Sequence, residues 1–305
     1  ACLRFAFGFY PSFDNKRSFM PDSYQDPVSR FSIAWPAAAL AGVFLVAFGL
    51  RVDGTYWGLP FRLHPDEWKY VSAGAECHRG QWNPKYFRNP PGFSYLNAAW
   101  FPLWLQIHQP VEVPLWLNVD PIQLKPSWNV EVTYLYRPFD LVAGARVLSA
   151  ALGALTAVAV FFLTREMLPA WYAVGAAWLT AVSFANVRES HFAVNDPAMA
   201  LLTTTGMVLG WHWFQSGKRW WLWAAAACGG VAVAVKYNAF PVILALLFLR
   251  GVRYWLRKKE ESIRILTRDW IVIVLLAGFF FLLICPFPLI DPQTFQQEMA
   301  LLREA

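Results

Sequence analysis

Residues 31–50 read FSIAWPAAALAGVFLVAFGL and contain no charged side chain. A helix rises 1.5 Å per residue, so about 20 residues cross the roughly 30 Å hydrocarbon core of a bilayer. The stretch therefore predicts a membrane-spanning helix. It is too long for a signal-peptide core, and no small-residue cleavage site follows it. Composition extends the argument to the whole chain. Of 305 residues, 57% are hydrophobic and only 15% are charged, with a mean hydropathy of +0.35, where soluble domains carry about 25% charged residues. Further apolar stretches lie at residues 146–164, 170–186, 197–214, 220–235 and 270–287, with a shorter one at 239–254. The predicted fold is an all-α integral membrane protein, a polytopic helical bundle of about seven spans.

Charge sets the expected orientation. Residues 250–268 carry Arg250, Arg253, Arg257, Lys258, Lys259, Arg264 and Arg268, and short basic loops stay cytoplasmic. Lys218 and Arg219, and the N-terminal Lys16, Arg17 and Arg30, mark further cytoplasmic segments. The outside then receives the long loop 52–145, the short loop 187–196, the turn Lys236-Tyr237-Asn238 and the tail after Pro288. This divides the chain into a cytoplasmic segment 1–31, a transmembrane catalytic domain 32–290, and residues 291–305 as the start of an outer-face segment. The 17 tryptophans suit the headgroup level, with Trp211, Trp213, Trp220, Trp221 and Trp223 clustered at one expected boundary. The pI of 9.2 fits cytoplasmic loops beside anionic lipid, and no nucleic-acid partner is expected. Cys2, Cys77, Cys228 and Cys285 have neither zinc-type spacing nor the pattern of a disulfide framework. The chain begins without Met and stops within a helical-looking stretch, so it is expected to be a fragment of a longer protein, with Met20 a candidate start.

A loop of about 90 residues is too long to lack structure in a compact protein. Surface helices are expected at residues 66–79 and 93–108, joined by a rigid turn from Asn83 to Pro91 that carries Lys85 and Arg88. Two acidic clusters adjoin spans: His64-Pro65-Asp66-Glu67 after the first, and the run from His191 to Asp196 before the stretch at 197. Singly, each suits a helix start, because acids in a first turn complement the helix dipole and Asp196-Pro197 resembles an N-cap with proline in the first turn. Together, on one expected membrane face, they point to a shared cleft.

These motifs in this order resemble the membrane glycosyltransferases of the GT-C superfamily. The likeness is to the branch holding aminoarabinose transferases, protein O-mannosyltransferases and lipopolysaccharide-core transferases, which is related to glycosyltransferase family 39. The pattern is a first span, the acidic motif at residues 63–67, and the turn Asn89-Pro90-Pro91-Gly92-Phe93 that opens an aromatic helix. An Arg-led span from Arg146 follows, then the Ser190-to-Asp196 motif before another span, and Lys236-Tyr237-Asn238 between apolar stretches. The resemblance covers roughly residues 32–295.

It implies an inverting transfer of a sugar from a polyprenyl-phosphate donor to an acceptor hydroxyl, at the outer face of the plasma (inner) membrane, with the site open to the periplasm or exterior. A general base must take the acceptor's proton, and Asp66 is assigned that role. Glu67 and Asp196 would position the acceptor or stabilise the positively charged sugar, while Lys85, Arg88, Arg146 and Lys236 are candidates for the phosphate. His64 and His191 join the substrate-binding set. The family often has a basic or acidic-basic pair directly before the Pro-Pro turn, where this chain has Asn89. His64, Asp66, Glu67, His191 and Asp196 are ligand types that would suit a divalent cation if they converged. Metal dependence is left open, and no nucleotide cofactor is expected, since the chain has no Gly-rich phosphate loop. The expected partners are the lipid-linked donor, membrane lipids, and a glycan, lipid or protein acceptor. The rival reading is a polytopic transporter or flippase for a lipid-linked or small polar substrate, in which Lys236, Asp196 and Asp66 line a path.

Overall fold

The computed structural model describes residues 31–59, 61, 64–108, 126–257 and 261–304. The expectations placed on residues 1–30, Leu63, residues 109–125, Lys258 and Lys259 lie outside these. The chain divides at Ala39. Residues 31–39 belong to the first unit and are helical. The second unit, from Leu40, holds the remaining helices.

The helices are α1 (Phe31–Val52), α2 (Glu67–Cys77), α3 (Gly92–Ile107), α4 (Pro126–Tyr136), α5 (Pro138–Arg165), α6 (Ala170–Val182) and α7 (Phe184–Ser190). They continue with α8 (Asp196–Ser216), α9 (Arg219–Val235), α10 (Pro241–Leu256), α11 (Ile263–Ile284), α12 (Phe287–Ile290) and α13 (Pro292–Glu304). No strand occurs among the described residues, as the absence of water from a bilayer core demands of anything other than a closed barrel. Each predicted apolar stretch is helical. Among the described residues four helices are both long and apolar enough to cross a membrane: α1, α5, α10 with the turn before it, and α11. α6 and α9 are apolar but shorter, and α8 has 21 residues but is diluted by polar side chains such as Thr203, Thr204 and Thr205.

Boundaries shift where charges are paired inside the protein. α5 begins at Pro138, well before the expected 146, and its first turns include buried Asp140 and Arg146. α11 begins at Ile263 rather than 270 because Asp269, only 4% exposed, is buried against arginines. Hydropathy penalises such residues, but a partnered charge does not end a helix. The stretch 170–186 breaks at Ser183, whose extended backbone separates α6 from α7. The two outer helices expected at 66–79 and 93–108 form as α2 and α3, and α4 adds a third.

Packing rests on small residues. Ala173, Ala177 and Ala181 recur every fourth position on α6, fully buried against Ala154, Ala157 and Phe161 of α5 and Val43 and Ala47 of α1. Close helix approach of this kind replaces the hydrophobic drive that lipid does not supply. Arg51 ends α1 and is 1% exposed. Its guanidinium donates to Ala47 O (2.9 Å), Ala181 O (2.8 Å) and Thr180 O (3.3 Å), which satisfies carbonyls at the end of α6 and places a cation at the negative end of its dipole. A second core joins α8, α9, α10 and α11 around Trp213, Leu222, Leu246 and Ile273. Trp213 thus belongs to the interior, at 2% exposure, while Trp220 and Trp223 face outward as the tryptophan cluster was expected to.

At the α9–α11 contact a Cβ on Gly230 would overlap the Ala277 backbone, whereas one on Gly278 would meet nothing. Gly230→Ala is expected to destabilise the protein by about 1–3 kcal/mol and Gly278→Ala to leave it unchanged, read as thermal unfolding in detergent. Equal behaviour of the two variants would refute the close contact.

Candidate functional site

Glu67, the first residue of α2, is 4% exposed. A buried carboxylate is stable only when paired and hydrogen-bonded, and Glu67 is both. Arg146 donates to it in bidentate fashion, Nε to Oε1 at 2.7 Å and Nη2 to Oε2 at 2.9 Å. The backbone N–H of Ala193 adds a third bond to Oε1 at 2.8 Å. Arg146 Nη1 then reaches Thr55 O (2.9 Å) and Trp57 O (2.8 Å). One ion pair thereby ties the loop after α1, the start of α2, the middle of α5 and the segment between α7 and α8. It brings the two acidic clusters together. His64 packs on Phe192 with ring centroids 4.8 Å apart, and its Nδ1 accepts from Asp66 N at 3.2 Å.

Asp66 precedes this brace and faces outward. Its side chain makes no cap bond to α2. It pairs with Lys69 through Oδ1 at 2.8 Å with 41% of its side chain exposed, and Oδ2 has no hydrogen-bond partner among the described residues. Lys69 also donates to Tyr86 OH at 3.3 Å and lies over the Tyr86 ring. The hydrogen bond to Asp66, more than any other influence, raises the Lys69 ammonium above its ordinary pKa.

Asp196 opens α8 and forms the second acid–ammonium pair, with Lys236 Nζ 2.6 and 2.8 Å from its two oxygens and 36% of the acid exposed. Asn195, buried, donates to Val235 O at 2.9 Å and locks this loop to the end of α9. Tyr70, 4% exposed, packs with Phe93, Val194, Ala198 and Val235. Burial first, then the negative charges of Asp66 and of Asp196, hold its phenol far above the ordinary value.

The Pro-Pro turn closes the other side. Tyr237 OH donates to Phe87 O at 3.0 Å, and a Cβ at Gly92 would lie 2.5 Å from Ala234 O. Only glycine permits that approach. Lys85 adopts a left-handed φ of 53°, held by its N–H bond to Asn83 Oδ1, and its side chain is exposed. Arg88 Nε lies 3.3 Å from Glu298 Oε2. Asp291 accepts from Asn83 Nδ2 (3.1 Å) and Thr294 N (3.3 Å); hydrogen bonding to the Thr294 side chain first, then to Asn83, and less so to the Thr294 N–H, holds its carboxyl below the usual range. His191 ends α7 with its N–H on Arg188 O at 3.1 Å. Among the described residues no group of three or more His, Cys, Asp or Glu is placed to hold a metal ion. A small pocket of about 40 Å3 opens beside His64 and Glu67, walled by Phe61, Trp68 and Phe139.

Lys69, Tyr70 and Tyr86 were not singled out from sequence. Lys69 and Tyr70 follow Asp66 and Glu67 by three positions, the spacing that puts side chains on one helix face.

A helical membrane bundle whose loops gather acids and cations at one end fits the membrane glycosyltransferases of the GT-C superfamily. The family model described as "Dolichyl-phosphate-mannose-protein mannosyltransferase" matches residues 116–295, more than half of the chain, and the protein belongs to that family. The match includes Arg146, His191, Asp196 and Lys236. Among solved structures, the S. cerevisiae protein O-mannosyltransferase Pmt1-Pmt2 complex bound to the sugar donor shares the fold at a TM-score of 0.58 and 16% identity. The alignment covers 86% of this chain and 34% of that one, so the chain spans about a third of the length of that neighbour. No curated protein sequence matches.

Removing one partner of a buried pair leaves an unpaired charge, so Arg146→Ala is expected to cost about 3–5 kcal/mol. The double variant Glu67→Met, Arg146→Met is expected to recover most of that in thermal unfolding, and a double variant no more stable than Arg146→Ala would refute the brace. For Asp291 the sign follows from its lowered pKa. Its contribution is complete above the ordinary aspartate pKa of 3.8 and is lost as pH falls through the lower folded value. Hydrogen exchange at the Thr294 amide is expected to accelerate there, and in Asp291→Asn the acceleration should vanish.

Proposed function

We propose that the protein transfers a sugar from a polyprenyl-phosphate donor to an acceptor hydroxyl at the membrane face that carries both acidic clusters, with inversion and with Asp66 as general base. The observation that supports this is the convergence of the two clusters through Glu67, which leaves Asp66 and Asp196 half-exposed. In this reading Asp66 Oδ2 takes the acceptor proton. The acceptor oxygen then bonds to the anomeric carbon on the side opposite the phosphate, the carbon–oxygen bond to phosphate breaks, and polyprenyl phosphate leaves.

The transition state has positive charge on the sugar and negative charge on the leaving oxygen. Asp196 serves the first. Lys85, Arg88 and Lys236 are the cations available to the second. Glu67 and Arg146 position the site, because their polar atoms are spent on protein partners and lie out of contact with solvent. His64 and His191 border the acceptor side. The chemistry proposed needs no nucleotide, and the acceptor is a glycan, a lipid or a protein. The family match supports the donor class, and the shared fold supports a membrane-embedded site. We assign the outer face of the plasma (inner) membrane from the basic loops at the opposite end.

Asp66→Asn keeps size and polarity but removes basicity. It is expected to reduce turnover of a labelled polyprenyl-phosphate sugar by about 10²–10⁴-fold without shifting thermal unfolding. Retained turnover would remove Asp66 from the base role. Dissipation of a substrate gradient in liposomes without any transfer would favour the transporter instead.

A further inference from the structure

The opposite end of α9 carries a second polar cavity. α9 has 17 residues, so Arg219 at its start and Lys236 just past its end stand about 25 Å apart, close to the thickness of a hydrocarbon core. The cavity at the Arg219 end is about 450 Å3 and is lined by Trp213, Arg219, Arg250, Arg253, Glu261 and Asp269, among others. We propose that it binds a phosphate-bearing anion, supplied by an anionic lipid headgroup.

The argument begins with Arg250, which is 1% exposed. Its Nε donates to Asp269 Oδ2 at 2.9 Å and its Nη2 to Glu261 Oε2 at 2.7 Å. Its Nη1 is buried with no hydrogen-bond partner among the described residues. A buried donor left unmet costs about 1–3 kcal/mol, more when charged, so this atom marks a place for an acceptor from outside the chain. Asp269 cannot supply it, because it is shared. Arg268 Nη2 lies 3.1 Å and Arg219 Nε 3.9 Å from its other oxygen. Arg253 adds a fourth guanidinium. Its Nη1 donates to the Trp213 and Phe214 carbonyls, and a Cβ at Gly217, where the backbone is left-handed at φ 72°, would lie 2.6 Å from its Nη2. Among the described residues four guanidinium groups thus meet two carboxylates, an excess that suits one phosphate.

The guanidiniums are also pre-set. Arg250 and Arg253 both lie over the Trp213 ring, at 5.8 and 5.2 Å, which lowers the ordering cost of binding. Arginine forks match phosphate oxygens in geometry as well as charge. The choice of lipid as source follows from position. The cavity sits at the end of a membrane helix, where a headgroup lies, and the other face of α10 and α11 forms an apolar groove of Leu247, Phe248, Val252, Trp255 and Trp270 for an acyl chain.

The test is native mass spectrometry of the purified chain in neutral detergent, titrated with phosphatidylglycerol, phosphatidylcholine or inorganic phosphate. Phosphatidylglycerol is expected to bind saturably and to outlast phosphatidylcholine. Arg219→Gln, at an exposed position, is expected to weaken it about fivefold, and Arg250→Lys, which keeps charge but loses Nη1, about tenfold. Should Arg250→Lys not fold, Arg219→Gln decides alone. Binding of inorganic phosphate, but not of phosphatidylglycerol, with the same sensitivity to Arg219→Gln would keep the anion site and make its source a soluble phosphate. Equal binding of the two lipids, or binding unmoved by Arg219→Gln, would overturn the proposal.

Discussion

The Glu67–Arg146 pair is the constraint on which the acidic end of the bundle depends. Both side chains are nearly out of contact with solvent, where isolated charges would cost several kcal/mol each. Their bidentate bonds, three further bonds to backbone groups and the Phe192 ring beside Arg146 make the burial tolerable. They also fix geometry, because Arg146 is held inside α5 and every group that meets the pair takes its place relative to that helix. An apolar pair of similar volume would recover most of the stability but would lose the bonds to Ala193 N and the Thr55 and Trp57 carbonyls that set where those segments lie. The pair is therefore better understood as specifying the position of Asp66 than as a source of stability.

The same pair explains what could and could not be seen in the sequence. The apolar stretches were plain, since lipid demands helices and the residues that face it carry no charge. The place where α5 begins was hidden, because hydropathy counts Arg146 and Asp140 as exposed charges and has no knowledge of their partners. The start of α11 was hidden for the same reason by Asp269. The order of motifs suggested that His64–Glu67 and His191–Asp196 meet, but the bond that joins them runs from a side chain to the backbone N–H of Ala193, which leaves no trace in residue type. Division of labour within each motif was equally invisible. Asp66 and Glu67 are adjacent acids, and only the direction each leaves the helix start makes one half-exposed and the other a buried brace.

Lys85, Arg88, Arg146 and Lys236 looked equivalent as cations in the sequence. In the fold they differ by what already occupies them. Arg146 is fully engaged, Lys236 is held by Asp196 in a pair that water still reaches, Arg88 leans on Glu298, and Lys85 projects from a left-handed turn. In the proposed reaction a phosphate would compete with carboxylate for Lys236 and Arg88 but not for Lys85, so its affinity would be tunable by Asp196 and Glu298 without any change in the cations themselves.

The two ends of the bundle treat charge in opposite ways, and that difference bears on orientation. At the Asp66 end, acids and ammonium groups form half-exposed pairs around loops. At the Arg250 end, guanidiniums outnumber carboxylates and are drawn inward against Trp213. A bilayer with anionic lipid on its cytoplasmic leaflet attracts the second arrangement at about 1 kcal/mol per basic residue near the surface. In the orientation we propose, α9 would carry one end of each site, and an attraction that held its Arg219 end at one leaflet would present its Lys236 end, about 25 Å away, to the other.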